Sequence, residues 1–189
     1  MSYLRGERIR LYKFTDRYIT PQYIEWLNDH SINKYLCVGR TPIAMEDVTA
    51  PRGQNEMRFA ILSNIGADPG DNIFEDHDFV HYIGTASFSS IDWISRRAEI
   101  GYLIGEKTHW GLGIATETIK LLSEYGFGRL GMHKIEAGVV DGNTGSSRAL
   151  EKNGFTKYGS APEDHYLDGK FLDTHRFYKI GDSDGRDGT

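Results

Sequence analysis

Residues 110–117 read Trp-Gly-Leu-Gly-Ile-Ala-Thr-Glu, and this stretch decides how the rest of the chain is interpreted. It follows a predicted strand over 98–104 and opens a segment with apolar residues at helical spacing. Gly111 and Gly113 permit positive φ angles and a close approach of a ligand to the backbone. Because the amides that follow lie at a helix N-terminus, the stretch predicts a phosphate- or pyrophosphate-binding turn. A plain strand-to-helix turn could carry the same two glycines.

Two better-known phosphate motifs do not explain this chain. The P-loop pattern Gly-x-x-x-x-Gly-Lys-Ser/Thr does not occur. Residues 126–131, Gly-Phe-Gly-Arg-Leu-Gly, match the dinucleotide pattern Gly-x-Gly-x-x-Gly literally. They end a predicted helix and precede a strand, whereas that fingerprint joins a strand to a helix. We therefore interpret 126–131 as a helix terminus.

The elements around the turn predict a mixed α/β fold. Strand patterns lie at 7–14, 57–65, 80–91, 98–104, 134–140, 155–159 and 171–180. Helices are predicted from Pro21, over 31–36, from Ile114 and over 145–152. Thr20 is the expected cap of the first helix, and Gly154 closes the last one. The middle strands form an antiparallel meander, and 98–104 joins 134–140 by a right-handed parallel crossover.

Length and charge set the class of protein. With 189 residues the chain is one domain, predicted over 1–181, followed by a polar, glycine-rich and disordered tail over 182–189. The net charge of -5 argues against a nucleic-acid partner. A single cysteine, Cys37, cannot form an internal disulfide and is interpreted as a structural thiol.

Segments that would indicate export, a membrane or a metal are not found in the sequence. The N-terminus has no apolar core of a signal peptide, and no apolar run reaches the roughly 20 residues that span a bilayer. We therefore expect a cytoplasmic protein with no membrane partner. The acidic segment 66–78 lacks fixed ligand spacing, so it is interpreted as a solvated hairpin loop, and no metal site is predicted.

A second constellation occupies residues 143–155, Asn-Thr-Gly-Ser-Ser-Arg-Ala-Leu-Glu-Lys-Asn-Gly-Phe. Taken alone it is an N-capped helix, with Asn143 or Thr144 as the cap. In this order and separation, however, 110–117 and 143–155 resemble the GNAT superfamily of acyl-CoA N-acyltransferases. They are most similar to its ribosomal-protein-alanine N-acetyltransferase (RimJ/RimL-type) branch. The resemblance covers about 7–180, with Thr108 standing where the superfamily often has Arg or Gln.

The resemblance implies the architecture and the co-substrate. It implies a twisted central sheet of about seven strands, mostly antiparallel, with one parallel pair that splays apart and helices on both faces. Acetyl-CoA would enter that gap, and its pyrophosphate would meet the glycine turn. Arg148 and Lys152 are one helical turn apart and could face one phosphate, although a solvated helix face would look the same. The cofactor-binding residues implied are Leu103, Ile104, Gly111, Leu112, Gly113, Ile114, Ala115, Thr116, Asn143, Ser146, Arg148 and Lys152.

Direct acetyl transfer to an amine needs a base, an oxyanion donor and an acid for the leaving thiolate. The base implied is Glu99; the alternative is a structural strand carboxylate paired with Arg96 or Arg97. The acid implied is Ser146, and the oxyanion donors are backbone amides near Leu103. The weaker candidates are Asp92, Asp141 and His109 for the base and Tyr158 for the acid.

The acceptor is an amine whose identity the sequence leaves open. A protein N-terminus, an amino sugar and a small amine all fit, and a homodimer is common in this branch. The acceptor contacts expected are Tyr35, Asp92, Trp93 and Tyr102. Two other functions stay open at this point: a non-catalytic acyl-CoA-binding module and a nucleotide-binding regulator.

Overall fold

The computed structural model describes residues 4–36, 41–49, 53–66 and 81–181. Among them, eight strands form one sheet in the order β1-β2-β3-β4-β5-β6-β8-β7. The strands are β1 (Leu4–Arg5), β2 (Ile9–Lys13), β3 (Met57–Ser63), β4 (His81–Asp92), β5 (Arg97–Ile104), β6 (Lys134–Val140), β7 (Thr156–Leu167) and β8 (Lys170–Ile180). The helices are α1 (Pro21–Asn28), α2 (His30–Asn33), α3 (Ile114–Glu124) and α4 (Thr144–Lys152).

The sheet confirms the predicted fold class and adds one strand to the seven expected. The additional strand, β1, has only two residues, which is too short for an alternating pattern to reveal. Helix α1 begins at Pro21 as predicted, and the Thr20 hydroxyl accepts a hydrogen bond from the Tyr23 amide at 3.2 Å. Helix α2 is shorter than the predicted 31–36 and is capped by Asp29.

The last two strands are longer than the sequence pattern indicated. They continue past a register shift between Ala161 and His165 to a two-residue loop. In that loop Asp168 and Gly169 have φ angles of 49° and 83°, as a tight hairpin turn requires. Pro162 and the acids beside it interrupt the alternation, which is why 160–170 gave no strand signal.

One parallel pair interrupts the otherwise antiparallel sheet. Strands β5 and β6 are joined through α3, and their ladder covers only Arg97–Glu99 against Lys134–Glu136. Beyond Glu99 and Glu136 the two strands have no further paired residues, so their carboxyl ends separate. The gap lies next to the N-termini of α3 and α4, because α3 follows β5 and α4 follows β6.

Two apolar cores cover the two faces of the sheet. On one face α3 and α4 pack through residues such as Ile119, Leu122 and Leu150. On the other face α1 packs through Trp26 and other aromatic residues. Both helix layers therefore bury one face of the sheet each, as the amphipathic spacing predicts.

The literal dinucleotide pattern at 126–131 ends a helix, as predicted. A five-residue π-helical turn, Tyr125–Arg129, continues α3 and precedes β6. Gly126 is buried, and a Cβ there would lie 2.7 Å from Ile135 Cδ1, so this glycine serves helix-to-sheet packing.

Three predictions fall largely or wholly outside the described residues. These are the structural role of Cys37, most of the acidic loop 66–78 and the tail 182–189. In the part of the chain that the structure describes, no helix has both the length and the apolar composition to cross a bilayer.

Candidate functional site

A cleft of about 550 Å³ opens where β5 and β6 separate, and we call it the β5–β6 cleft. Side chains and backbone from α2, β5, the glycine turn and α4 line it. Most of the residues predicted to bind the cofactor lie there together: Leu103, Ile104, Gly111, Gly113, Ile114, Ala115, Thr116, Asn143, Ser146, Arg148 and Lys152. The predicted acceptor contacts Tyr35 and Tyr102 also line it, while Leu112 lies outside this lining.

The glycine turn at one end of the cleft has the backbone that the sequence indicated. Gly111 and Gly113 have φ angles of 75° and 79°, and α3 begins at Ile114. Gly113 caps the helix without a side-chain hydrogen bond, so amides of its first turn remain available to an anion. The Trp110 indole donates to the Ile104 carbonyl oxygen at 2.8 Å and ties the turn to the end of β5.

Backbone groups along β5 point alternately to its two neighbours. The Arg96 carbonyl accepts hydrogen bonds from the amides of His133 and Lys134, which places it at the edge beside β6. By the same alternation, the backbone groups of Tyr102 and Ile104 face the gap. The Leu103 carbonyl oxygen instead lies against Gly84 of β4, where a Cβ would collide with it. The amides available to an oxyanion in the gap are therefore those next to Leu103.

The N-terminus of α4 forms the second wall of the cleft. Asn143 Oδ1 accepts a hydrogen bond from the Ser146 amide at 3.4 Å and so caps the helix. The preceding Gly142 has a φ angle of 86°, and a Cβ on it would lie 3.4 Å from the Tyr35 hydroxyl oxygen. Tyr35 therefore lies across from this turn. Its position narrows the cleft between α2 and α4.

Tyr102 and Ser146 meet across the cleft. The Tyr102 hydroxyl donates to Ser146 Oγ at 2.9 Å, joining β5 to the first turn of α4. Burial raises the pKa of Tyr102, and the hydrogen bond with Ser146 offsets only part of that rise. The phenol therefore stays protonated at neutral pH.

Comparison with known proteins identifies a family that matches most of this chain. The family described as acetyltransferase (GNAT) domain matches residues 8–156. This chain belongs to the GNAT acetyltransferase family.

Relatives of this GNAT domain match either nearly the whole chain or about half of it. The uncharacterized N-acetyltransferase p20 of Bacillus licheniformis is 34% identical over 179 residues, which cover 94% of this chain and 95% of that protein. The spermidine N(1)-acetyltransferase of Vibrio cholerae is 31% identical over 96 residues, 51% of this chain and 55% of that enzyme. A crystal structure of spermidine N-acetyltransferase from Vibrio cholerae, in complex with CoA and spermine, shares the fold. Its TM-score is 0.75 with 22% identity, covering 93% of this chain and 96% of that one.

Glu99 of this GNAT domain lies where the parallel ladder ends. Along β5, Ala98 and Ile100 pack in the α3–α4 core and Leu103 in the α1 core, so alternation directs Glu99 toward the α1 face. Its Oε1 accepts from Arg176 Nη1 at 3.0 Å, above Gly138 of β6. The arginines considered from sequence lie elsewhere: Arg96 donates to the Gly131 carbonyl, and Arg97 faces Asp92.

Asp92 and Trp93 lie at the other end of β5, in the hairpin that joins it to β4. Asp92 Oδ1 accepts from the amides of Ile94 and Ser95, and these hydrogen bonds, led by Ser95, lower its pKa. The Trp93 indole donates to the Gln54 carbonyl oxygen at 3.1 Å. The structure does not bring these two residues into the β5–β6 cleft, so the acceptor role predicted for them stays a prediction.

Several groups near the GNAT site were not identified from sequence. Glu136 faces the same side as Glu99, and Tyr158 and Lys134 each donate to its Oε1 at 2.8 Å. Burial would raise the pKa of Glu136, but those two hydrogen bonds outweigh it and hold the pKa below its usual range. Arg176 and Arg8 were also missed. Their partners lie 77 and 109 residues away in the chain, so no local motif reveals them.

Proposed function

We propose that this chain transfers the acetyl group of acetyl-CoA to a primary amine directly, with both substrates bound at once. One observation carries the proposal: the gap between β5 and β6 has a positive-φ glycine turn and a helix N-terminus at its mouth, and polar groups on both faces of the sheet. Membership of the GNAT family and the named activities of relatives support acetyl transfer to an amine. No nucleophile on the protein is required.

The residues at the mouth of the cleft fit the donor. CoA is a polyanion and this chain has a net charge of -5, so binding depends on local cations and amides. The amides from Gly111 to Thr116 would hold the pyrophosphate at the start of α3. Arg148 and Lys152 line the same cleft and would offset the phosphate charges. Asn143 and the backbone of β5 beside the gap would hold the pantetheine arm.

The proposed acid and base flank the gap from opposite faces of the sheet. Glu99 on the α1 face would take a proton from the attacking amine, directly or through water, and Arg176 orients its carboxylate. Ser146 on the α4 side would give a proton to the sulfur that leaves. Backbone amides of β5 in the gap would stabilise the oxyanion between them. This arrangement suits an amine that approaches from one face while the thiol leaves by the other.

The acceptor is proposed as a protein N-terminus, an amino sugar or a small amine. The 110–117 and 143–155 motifs support a RimJ/RimL-type assignment and hence a protein N-terminus. The relationship to a spermidine acetyltransferase supports a small amine. Glu99 on the α1 face would face the amine in either case, and Tyr35 would contact the acceptor at the cleft.

Ligand-dependent stability tests the donor half of the proposal. A ligand at about 100 times its Kd adds about 2.7 kcal/mol to the free energy of unfolding. Acetyl-CoA should therefore raise the melting temperature of this chain by several degrees, whereas ATP and NAD at the same concentration should not. Equal shifts with all three ligands would favour a general nucleotide-binding site, and no shift with acetyl-CoA would contradict the proposal.

A further inference from the structure

We propose that Tyr102 is a positioning residue for Ser146, which holds the serine hydroxyl so that its own proton points toward the sulfur of the departing CoA. This inference rests on the proposed function of the β5–β6 cleft. It gives Tyr102 a role different from the acceptor contact expected from the sequence. Both side chains line the cleft, from opposite walls.

The hydrogen bond between the two hydroxyls leaves the proton of Ser146 available to another group. A serine hydroxyl has one proton to donate and two lone pairs to accept with. The Tyr102 hydroxyl donates to Ser146 Oγ at 2.9 Å, which uses a lone pair of that oxygen and leaves its proton free. The Ser146 amide is already engaged by Asn143 Oδ1 at 3.4 Å, so the backbone of this residue is fixed as well. The free proton can then serve a group inside the cleft.

The location of Tyr102 explains why it can act at this point. It lies three residues beyond Glu99, the last β5 residue that pairs with β6. Its ring is therefore beside the part of the cleft where the two strands are no longer paired. Its ring packs against the α3–α4 core. A half-buried phenol packed against that core fixes the direction of its hydrogen bond better than water would, and desolvation raises its pKa and keeps it protonated.

Acetyl transfer moves one proton from the amine to the departing sulfur by way of Glu99, water and Ser146. The amine nitrogen forms a bond to the thioester carbon, and the carbon–sulfur bond breaks with its electron pair on sulfur. The Ser146 proton moves to that sulfur, and the Tyr102 hydrogen bond stabilises the charge left on Oγ. The proton that Glu99 removed from the amine returns to Ser146 through water. The products are the acetylated amine and the CoA thiol.

Replacement of one oxygen atom tests this role. Tyr102→Phe should lower kcat with acetyl-CoA at least about tenfold, part of the usual acid–base contribution, with KM for acetyl-CoA within about twofold. Ser146→Ala should lower kcat by at least as much. The double variant should be no slower than Ser146→Ala, because Tyr102 acts through Ser146. Tyr166→Phe, on the exposed hairpin, is the control and should match wild type.

A second acetyl donor tests whether Tyr102 positions Ser146 or only supports the fold. With p-nitrophenyl acetate the leaving group departs without a proton, so the ratio of wild-type to variant kcat should be smaller than with acetyl-CoA, for Tyr102→Phe and for Ser146→Ala alike. If Tyr102→Phe is slowed to the same extent with both donors, or if its effect multiplies with that of Ser146→Ala, the inference is wrong. If Tyr102→Phe retains full kcat in an active enzyme, only this inference fails. A wild type that transfers no acetyl group to any amine contradicts the proposed function and this inference together.

Discussion

Arg8 holds Glu117 of α3 at two points: its main-chain amide donates to Oε1 and its Nε donates to Oε2, each at 3.0 Å. The Glu117 carboxylate is nearly buried, with 9% of its side chain exposed. Arg8 also donates through Nη1 to the Leu112 carbonyl oxygen at 2.7 Å. Arg8, which directly precedes β2, therefore stabilises both the glycine turn and the first turn of α3.

Removal of the Arg8 side chain should lower the free energy of unfolding and the affinity for CoA. Arg8→Ala leaves the Leu112 carbonyl and one carboxylate oxygen without their partners, so we expect a loss of about 1–3 kcal/mol in the free energy of unfolding. The Kd for CoA should rise severalfold as the turn loosens. Urea unfolding and calorimetric titration measure both. Lys120→Ala, which removes an exposed i,i+4 pair with Glu124 at 3.9 Å, should cost about 0.5 kcal/mol or less. Equal losses of stability in Arg8→Ala and Lys120→Ala would argue against this role of Arg8.

Positive φ at the glycine turn should be required for CoA binding. A Cβ at Gly111 meets no atom within 4 Å, so Gly111→Ala tests the φ angle of 75° without a steric clash. We expect about 1–2 kcal/mol of strain. Relief of that strain should move the amides of the turn, so CoA affinity should fall about tenfold, the equivalent of 1.4 kcal/mol. Gly128→Ala, in the exposed π-turn with open space around it, should leave affinity unchanged. Unchanged CoA affinity in Gly111→Ala would mean that the turn does not bind the pyrophosphate.

Loss of the Glu99 carboxylate should slow turnover without weakening donor binding. Glu99→Gln keeps the shape of the side chain above Gly138 but removes the proposed base. We expect kcat to fall at least about tenfold, with the Kd for CoA within about twofold. Glu25→Gln, an exposed carboxylate on α1, is the control. Full activity in Glu99→Gln would assign the carboxylate a structural role with Arg176. A non-catalytic binding module would keep its biological activity in both Glu99→Gln and Ser146→Ala.

The contact between Asp29 and Lys107 should give a specific acid sensitivity. Lys107 Nζ lies 2.8 Å from Asp29 Oδ2, and this hydrogen bond, with further bonds from Ser31, lowers the pKa of Asp29 from 3.8 to about 2. Between these two values the unfolded chain binds more protons at this group than the folded chain does. The stability from this contact is therefore present above about pH 4 and declines as the pH falls toward 2.

Urea titrations over this acid range check that expectation. The difference in free energy of unfolding between wild type and Asp29→Asn should be constant above about pH 5 and shrink at lower pH. Lys107→Met, which removes the first of these partners and leaves the Ser31 bonds, should lose part of that pH dependence. A difference that is independent of pH, or that grows in acid, would contradict the assignment.

The sequence predicted which residues meet in the β5–β6 cleft because they lie in contiguous stretches. Gly111 and Gly113, and Asn143 with Ser146, are local signals whose backbone requirements can be read from residue type and spacing. The order of strands around them predicts that they meet at one end of a parallel pair. All but one of the predicted cofactor residues, Leu112 being the exception, line the same cleft.

The remaining parts of the site depend on pairings between distant strands. Glu99 meets Arg176 only because β8 lies beside β6, and a single sequence gives no register for that pairing. Asp92 and Trp93 were assigned to the acceptor from their place after a strand, yet they form the hairpin that joins β4 to β5. Tyr102 was expected as an acceptor contact. Its hydrogen bond to Ser146 requires knowing which way each wall of the cleft faces.

Amine-dependent release of the CoA thiol distinguishes an acetyltransferase from a protein that only binds acetyl-CoA. Wild-type protein should be incubated with acetyl-CoA and an amine panel of alanine- and serine-starting peptides, spermidine, and UDP- and dTDP-amino sugars. We predict that thiol release rises at least about tenfold with one class of amine, that mass spectrometry finds that amine acetylated, and that Glu99→Gln loses most of the rate. Protein that binds acetyl-CoA but releases no thiol with any amine would contradict the account.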